Sequence, residues 1–116
     1  MSDAIIESTL AYKALRPEEK ALICNGCGAA NAKFDFVPDR IYGLPIGPAC
    51  EVHDFDYHVG TKEADRLTAD LRLLANVLRL INAKGGWLRW LRRRRAYKYY
   101  EAVREGGGRA FWAGKD

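Results

Sequence analysis

A chain of 116 residues, 48% hydrophobic and 29% charged, fits one compact domain over 1–116 with a modest core, and is neither disordered nor fibrous. The longest apolar-rich run, 67–81, is interrupted by Asp70, Arg72, Asn76 and Arg79, which excludes it as a membrane span. The charge is split: residues 1–60 hold five Lys/Arg and nine Asp/Glu (net −4), residues 61–116 hold fourteen and six (net +8), so the front half suits a cation and the rear half an anionic partner.

The N-terminal "MSDAIIESTLAYKAL" lacks the basic head, apolar block and small-residue cleavage site of a signal peptide. Ser2 can cap a first helix running to about Leu15, with Ile5, Ile6, Leu10 and Leu15 on its apolar side. Pro17 suits the first turn of a short second helix, "PEEKALI", whose Glu18 and Glu19 complement its positive end. Residues 25–48 contain four glycines and three prolines with no sustained period, and predict a long irregular connection of the kind that tends to be functional. A helix starts after Pro48. A longer one covers about 62–84 and stops at Gly85-Gly86; a basic third runs from Trp87 to Val103 and ends at Gly106 to Gly108. Almost no strand signal remains, so the expected fold class is all-α: two long core helices and one long loop.

Within "PACEVHDFDYHVG" a helix places Cys50, His53 and Tyr57 at i, i+3 and i+7 on one face, with Asp54 beside it. Neighbouring imidazole and carboxylate groups suit a base that activates water next to a hard cation; the blander alternative is a partly buried histidine among surface carboxylates. Asp56 and His58 fit no constellation and read as solvated. In the following helix the apolar stripe is Leu67, Leu71, Leu74, Leu78 and Ile81, widened by Val77. Asp70 points into that stripe, whereas Asp65 lines up with Arg72 and Arg79 on the wet side. A carboxylate among apolar side chains needs partners, and His53 and Tyr57 are the obvious donors; the blander alternatives are a helix that begins later or an Asp70 paired with an arginine.

Cysteine spacing supports a different reading. Cys24-x2-Cys27 followed by Cys50-x2-His53 is compatible with a Cys3His zinc site, the first reading of the spacing taken alone in a reducing compartment, whereas a Cys27–Cys50 disulfide would instead tie the loop to the start of the helix. The rear helix, "WLRWLRRRRAYKYYEAVR", carries seven Lys/Arg against one Glu. Flanked by Trp87, Trp90 and Leu91, it suits an anionic membrane surface or a nucleic-acid backbone. It also reads as a core helix with a solvated arginine face, through Ala96, Tyr99, Tyr100 and Val103.

At Cys50-x-x-His53-Asp54-x-x-Tyr57 the chain resembles the active-site helix of the phospholipase A2 superfamily, closest to its small bacterial and fungal secreted branch. The preceding "NGC" and the later "YYEAVREGGGRAF" extend the resemblance over roughly 25–111. It implies a small helical domain with a calcium-binding loop, His53 as general base, Asp70 orienting it, and Tyr57 hydrogen-bonded to Asp70. It implies Ca2+ held by Asp54, the Asn25 side chain and the Gly26 carbonyl, and a Cys27–Cys50 disulfide. The family position matching Asn25 is usually acidic, so calcium is expected to bind more weakly here, and Cys24 has no evident partner. The implied activity is calcium-dependent hydrolysis of the sn-2 ester of glycerophospholipids, with Ile5, Leu22 and Leu44 as candidates to line an acyl channel. The implied partner is a phospholipid bilayer or micelle, anionic by the charge of the rear half, with no nucleic acid, and the implied location is secreted or exported. The alternative is a non-catalytic zinc module binding nucleic acid through Arg92 to Arg95.

Overall fold

The computed structural model of the chain describes residues 6–23, 40–113 and 115, 74% of them helical with two short strands. Thr9 caps a single helical turn, α1 (Leu10–Lys13), its hydroxyl accepting from the Tyr12 amide. The expected first helix is thus short where it is described. Leu10 faces solvent, while Ile6 and Tyr12 enter the core. Pro17 opens α2 (Pro17–Ile23), with Glu18 and Glu19 in its first turn as expected. Leu22, expected near an acyl channel with Ile5 and Leu44, is 85% exposed; Leu44 packs against the core, and Ile5 lies outside the described residues.

Inside the stretch expected to be irregular, β1 (Arg40–Ile41) pairs antiparallel with β2 (Leu44–Pro45). Tyr42 and Gly43 form the two-residue turn, both at positive φ (48° and 81°), as a type I′ hairpin requires. Arg92, about fifty residues further along the chain, holds this hairpin. Its Nε donates to the Ile41 carbonyl at 3.0 Å and its Nη2 to the Tyr42 carbonyl at 2.6 Å, with the side chain buried. Arg92 is therefore structural, and the solvated Arg92 to Arg95 row loses its first member.

Three helices carry the core. Pro48 sits in the first turn of α3 (Gly47–Val59), and α4 (Glu63–Lys84) follows within a few residues, with Glu63 and Asp65 at its positive end and Lys84 at its negative end. Gly85, at φ 65°, stops α4 at the expected place. α5 (Arg89–Gly106) and the one-turn α6 (Gly108–Trp112) complete the order. α4 packs against both α3 and α5, and α6 folds back onto α3.

This central position of α4 corrects its expected apolar face. The buried residues are Ala69, Asp70, Leu73, Asn76, Val77, Leu80 and Ile81, whereas Leu67 and Leu71 are 41% and 47% exposed. The buried face is rotated by about one residue from the leucine row, because two neighbouring helices cover the side carrying the small Ala69. Each fully buried Leu, Val or Ile there contributes roughly 1.5–3 kcal/mol. Asn76 is buried at no polar cost: its Oδ1 accepts from the Glu7 amide at 2.6 Å and its Nδ2 donates to the Glu7 carbonyl at 2.9 Å. It fastens the N-terminal segment to the central helix.

Candidate active site

His53 and Tyr57 are one turn apart on α3, so both reach the same point of α4, and that point is Asp70. His53 Nε2 lies 2.8 Å from Asp70 Oδ1, and the Tyr57 hydroxyl donates to the same oxygen at 2.6 Å. The second oxygen, Oδ2, accepts from Arg104 Nη1 at 2.6 Å. Arg66, one turn before Asp70, brings its Nη1 to 3.7 Å of Oδ2. Asp70 is fully buried, and His53 and Tyr57 are 3% and 5% exposed.

The charges alternate outward from Asp70. Arg66 Nε donates to Glu63 Oε2 at 2.8 Å, Arg104 Nη2 stands 3.9 Å from the same oxygen, and Trp112 Nε1 donates to Glu63 Oε1 at 2.9 Å. Two carboxylates and two guanidiniums therefore neutralise one another beneath the histidine. Burial alone would push the Asp70 carboxyl up, but the hydrogen bonds from His53, Tyr57 and Arg104 outweigh it and hold the carboxyl below the ordinary aspartate range. Burial, and then the negative Asp70, push the Tyr57 hydroxyl far up, so it stays a donor.

These protonation states settle the tautomer. An ionised carboxylate can only accept, so the Nε2 that faces it carries the proton, and the lone pair of neutral His53 resides on Nδ1. A histidine held this way can take a proton at Nδ1 while Asp70 stabilises the resulting cation.

Packing fixes the second donor. The Phe111 ring meets Tyr57 edge-on at 5.1 Å, and the His53 and Tyr57 rings lie 4.2 Å apart. Gly107 is the close approach that permits this: a Cβ there would stand 2.5 Å from the Val103 carbonyl and 2.6 Å from the Tyr57 hydroxyl. Gly107→Ala is expected to cost about 1–3 kcal/mol in a urea titration and to push the Tyr57 hydroxyl off Asp70. Unchanged stability would show that the contact is not tight.

Asp54 is half-buried on α3, directly after His53, and is the described member of the implied calcium set. Asn25, Gly26 and Cys27 lie outside the described residues, as does Cys24. Cys50 is disulfide-bonded. Among the described residues, no group of three or more His, Cys, Asp or Glu converges as metal ligands. His58 is exposed, as expected, but Asp56 is not solvated. It is 7% exposed and ion-paired to Arg72 Nη1 at 2.8 Å, and burial raises its carboxyl above the ordinary value despite that arginine. Arg72 thereby leaves the wet row in which it was expected.

Arg104 and Arg66 are the site residues that sequence reasoning missed. Arg104 belongs to a basic helix and looks like one more solvated cation; the signal lay in Asp70, whose burial called for a cation as well as for His53 and Tyr57. No family model matches the chain, and neither a curated protein nor a solved structure does.

Proposed function

We propose that this protein is a calcium-dependent phospholipase A2-type esterase that hydrolyses the sn-2 ester of glycerophospholipids. The observation that carries the proposal is the buried Asp70, which accepts a hydrogen bond from His53 Nε2–H and so leaves the Nδ1 lone pair for the proposed base. In the proposed reaction His53 Nδ1 removes a proton from water as its oxygen bonds to the ester carbonyl carbon. The tetrahedral adduct then collapses, the bond to the glycerol oxygen breaks, and His53 returns the proton to that leaving oxygen. The products are a fatty acid and a lysophospholipid, and no acyl group is attached to the protein.

Asp54, the Asn25 side chain and the Gly26 carbonyl would hold Ca2+, which when bound supplies positive charge for the ester carbonyl oxygen. The donor chemistry suits a hard cation, since Asp54 offers carboxylate oxygen within one residue of the base. The zinc reading needs a thiolate at Cys50 and a ring nitrogen of His53. The disulfide at Cys50 removes the first. The disulfide also suits an oxidising, extracytoplasmic location. The nucleic-acid reading loses Arg92 to the hairpin.

Metal titration of the purified protein separates the readings. The proposal expects calcium to raise the melting temperature reversibly, at near-millimolar levels because Asn25 contributes no charge, and expects no zinc after dialysis. Stoichiometric zinc whose removal unfolds the protein would refute it.

A further inference from the structure

A cavity of ≈ 370 Å³ opens between the β1–β2 turn and α5, lined by Tyr42, Leu91, Arg94, Arg95 and Lys98. It is separate from the His53 site: Arg104 lies nine residues beyond Arg95, roughly 13 Å along the helix. Leu91, Arg94, Arg95 and Lys98 occupy i, i+3, i+4 and i+7, so three cations share one stripe of α5. The lining contains no carboxylate, and among the described residues none of the three forms an ion pair. Like charges at this spacing repel, and an anion between them removes that penalty.

The hairpin adds an independent sign. Tyr42 occupies a positive-φ turn position that suits Asn, Asp or Gly, and a bulky residue there is strained. The buried Arg92 holds its carbonyl, so the strain is maintained from below. What the strained turn presents is a tyrosine aimed at the cations: Arg95 Nη2 donates to the Tyr42 hydroxyl at 2.9 Å, and the Arg95 guanidinium lies 5.4 Å from the ring centre. The hydroxyl, accepting from Arg95, keeps its own hydrogen for a ligand oxygen, and the guanidinium keeps further N–H groups in a fixed fork.

We propose that this cavity binds a phosphate group, as a phospholipid headgroup or as free phosphate. Trp90, one turn before Arg94, and Trp87 are 59% and 82% exposed, and tryptophans beside cations favour the lipid source. The site stands whether or not His53 hydrolyses esters.

The test is binding in chelator, without turnover, to phosphatidylcholine vesicles containing phosphatidylglycerol, with inorganic phosphate as the second probe. Arg94→Gln with Lys98→Gln is expected to weaken vesicle binding roughly 25-fold, about five-fold per cation. Arg89→Gln with Arg93→Gln removes the same charge from exposed positions of α5 outside the cavity lining, and is expected to weaken binding roughly five-fold less. Tyr42→Asn, which suits the turn, is expected to keep or raise the melting temperature while weakening binding. Inorganic phosphate that binds as tightly, with the same dependence on Arg94 and Lys98, assigns the site to free phosphate. Equal losses from the two charge pairs, or tighter binding to single-stranded RNA than to vesicles, would overturn the proposal.

Discussion

Replacing Asp70 by Asn is expected to damage both the fold and the proposed chemistry. The carboxylate is fully buried and accepts from His53, Tyr57 and Arg104, with Arg66 nearby. Removing one member of a buried charge pair costs about 3–5 kcal/mol when the other stays dry. Arg104 is 27% exposed and retains Glu63 at 3.9 Å, so the lower end, about 3 kcal/mol in a urea titration, is the expected loss. The asparagine amide also no longer requires a proton on Nε2. The proposed hydrolysis should then fall on the order of 10⁴-fold, the size of effect seen when another enzyme's histidine loses its orienting carboxylate. The stability loss should itself depend on pH. The Asp70 carboxyl is lowered in the fold, so its contribution is complete above the ordinary value of 3.8 and is lost as pH falls through the folded value. The gap between the native protein and Asp70→Asn should therefore close in acid. A gap that is constant from neutrality to pH 3, or a variant as stable as the parent, would show that the charge network is not what holds the helices.

His53→Gln is expected to separate chemistry from folding. The glutamine amide can still donate to Asp70 and fills much of the imidazole space, so stability should change by only about 1 kcal/mol. It has no basic nitrogen, and turnover should fall on the order of 10²–10⁴-fold. A variant that stays folded and keeps turning over would remove His53 from the mechanism. The two substitutions therefore give different signatures, one lowering stability and rate together, the other only the rate.

Much of the architecture was legible because its punctuation is local. Pro48 and Gly85 act through their own backbone conformations, so the start of α3 and the end of α4 follow from residues beside them. The burial of Asp70 was legible too, since it lies at the margin shared by the leucine row and the true buried face. The phase of α4 was not. Leu67 and Leu71 are 41% and 47% exposed because α3 and α5 cover the neighbouring side, and that depends on which helices meet. The arginines were misread for the same reason. Arg92, Arg94 and Arg104 look alike in a basic run, yet one pins a hairpin, one lines a cavity and one neutralises Asp70. Asp56 was read as solvated because Arg72, sixteen residues later, becomes its partner only once α3 packs on α4.

The most direct measurement is the release of fatty acid from phosphatidylcholine–phosphatidylglycerol vesicles carrying distinguishable chains at the two ester positions. The proposal predicts release of the sn-2 chain in millimolar calcium, arrest on chelation, recovery when calcium is restored, and none from His53→Gln. Release that ignores chelation, that persists in His53→Gln, or that never occurs with the native protein would contradict it.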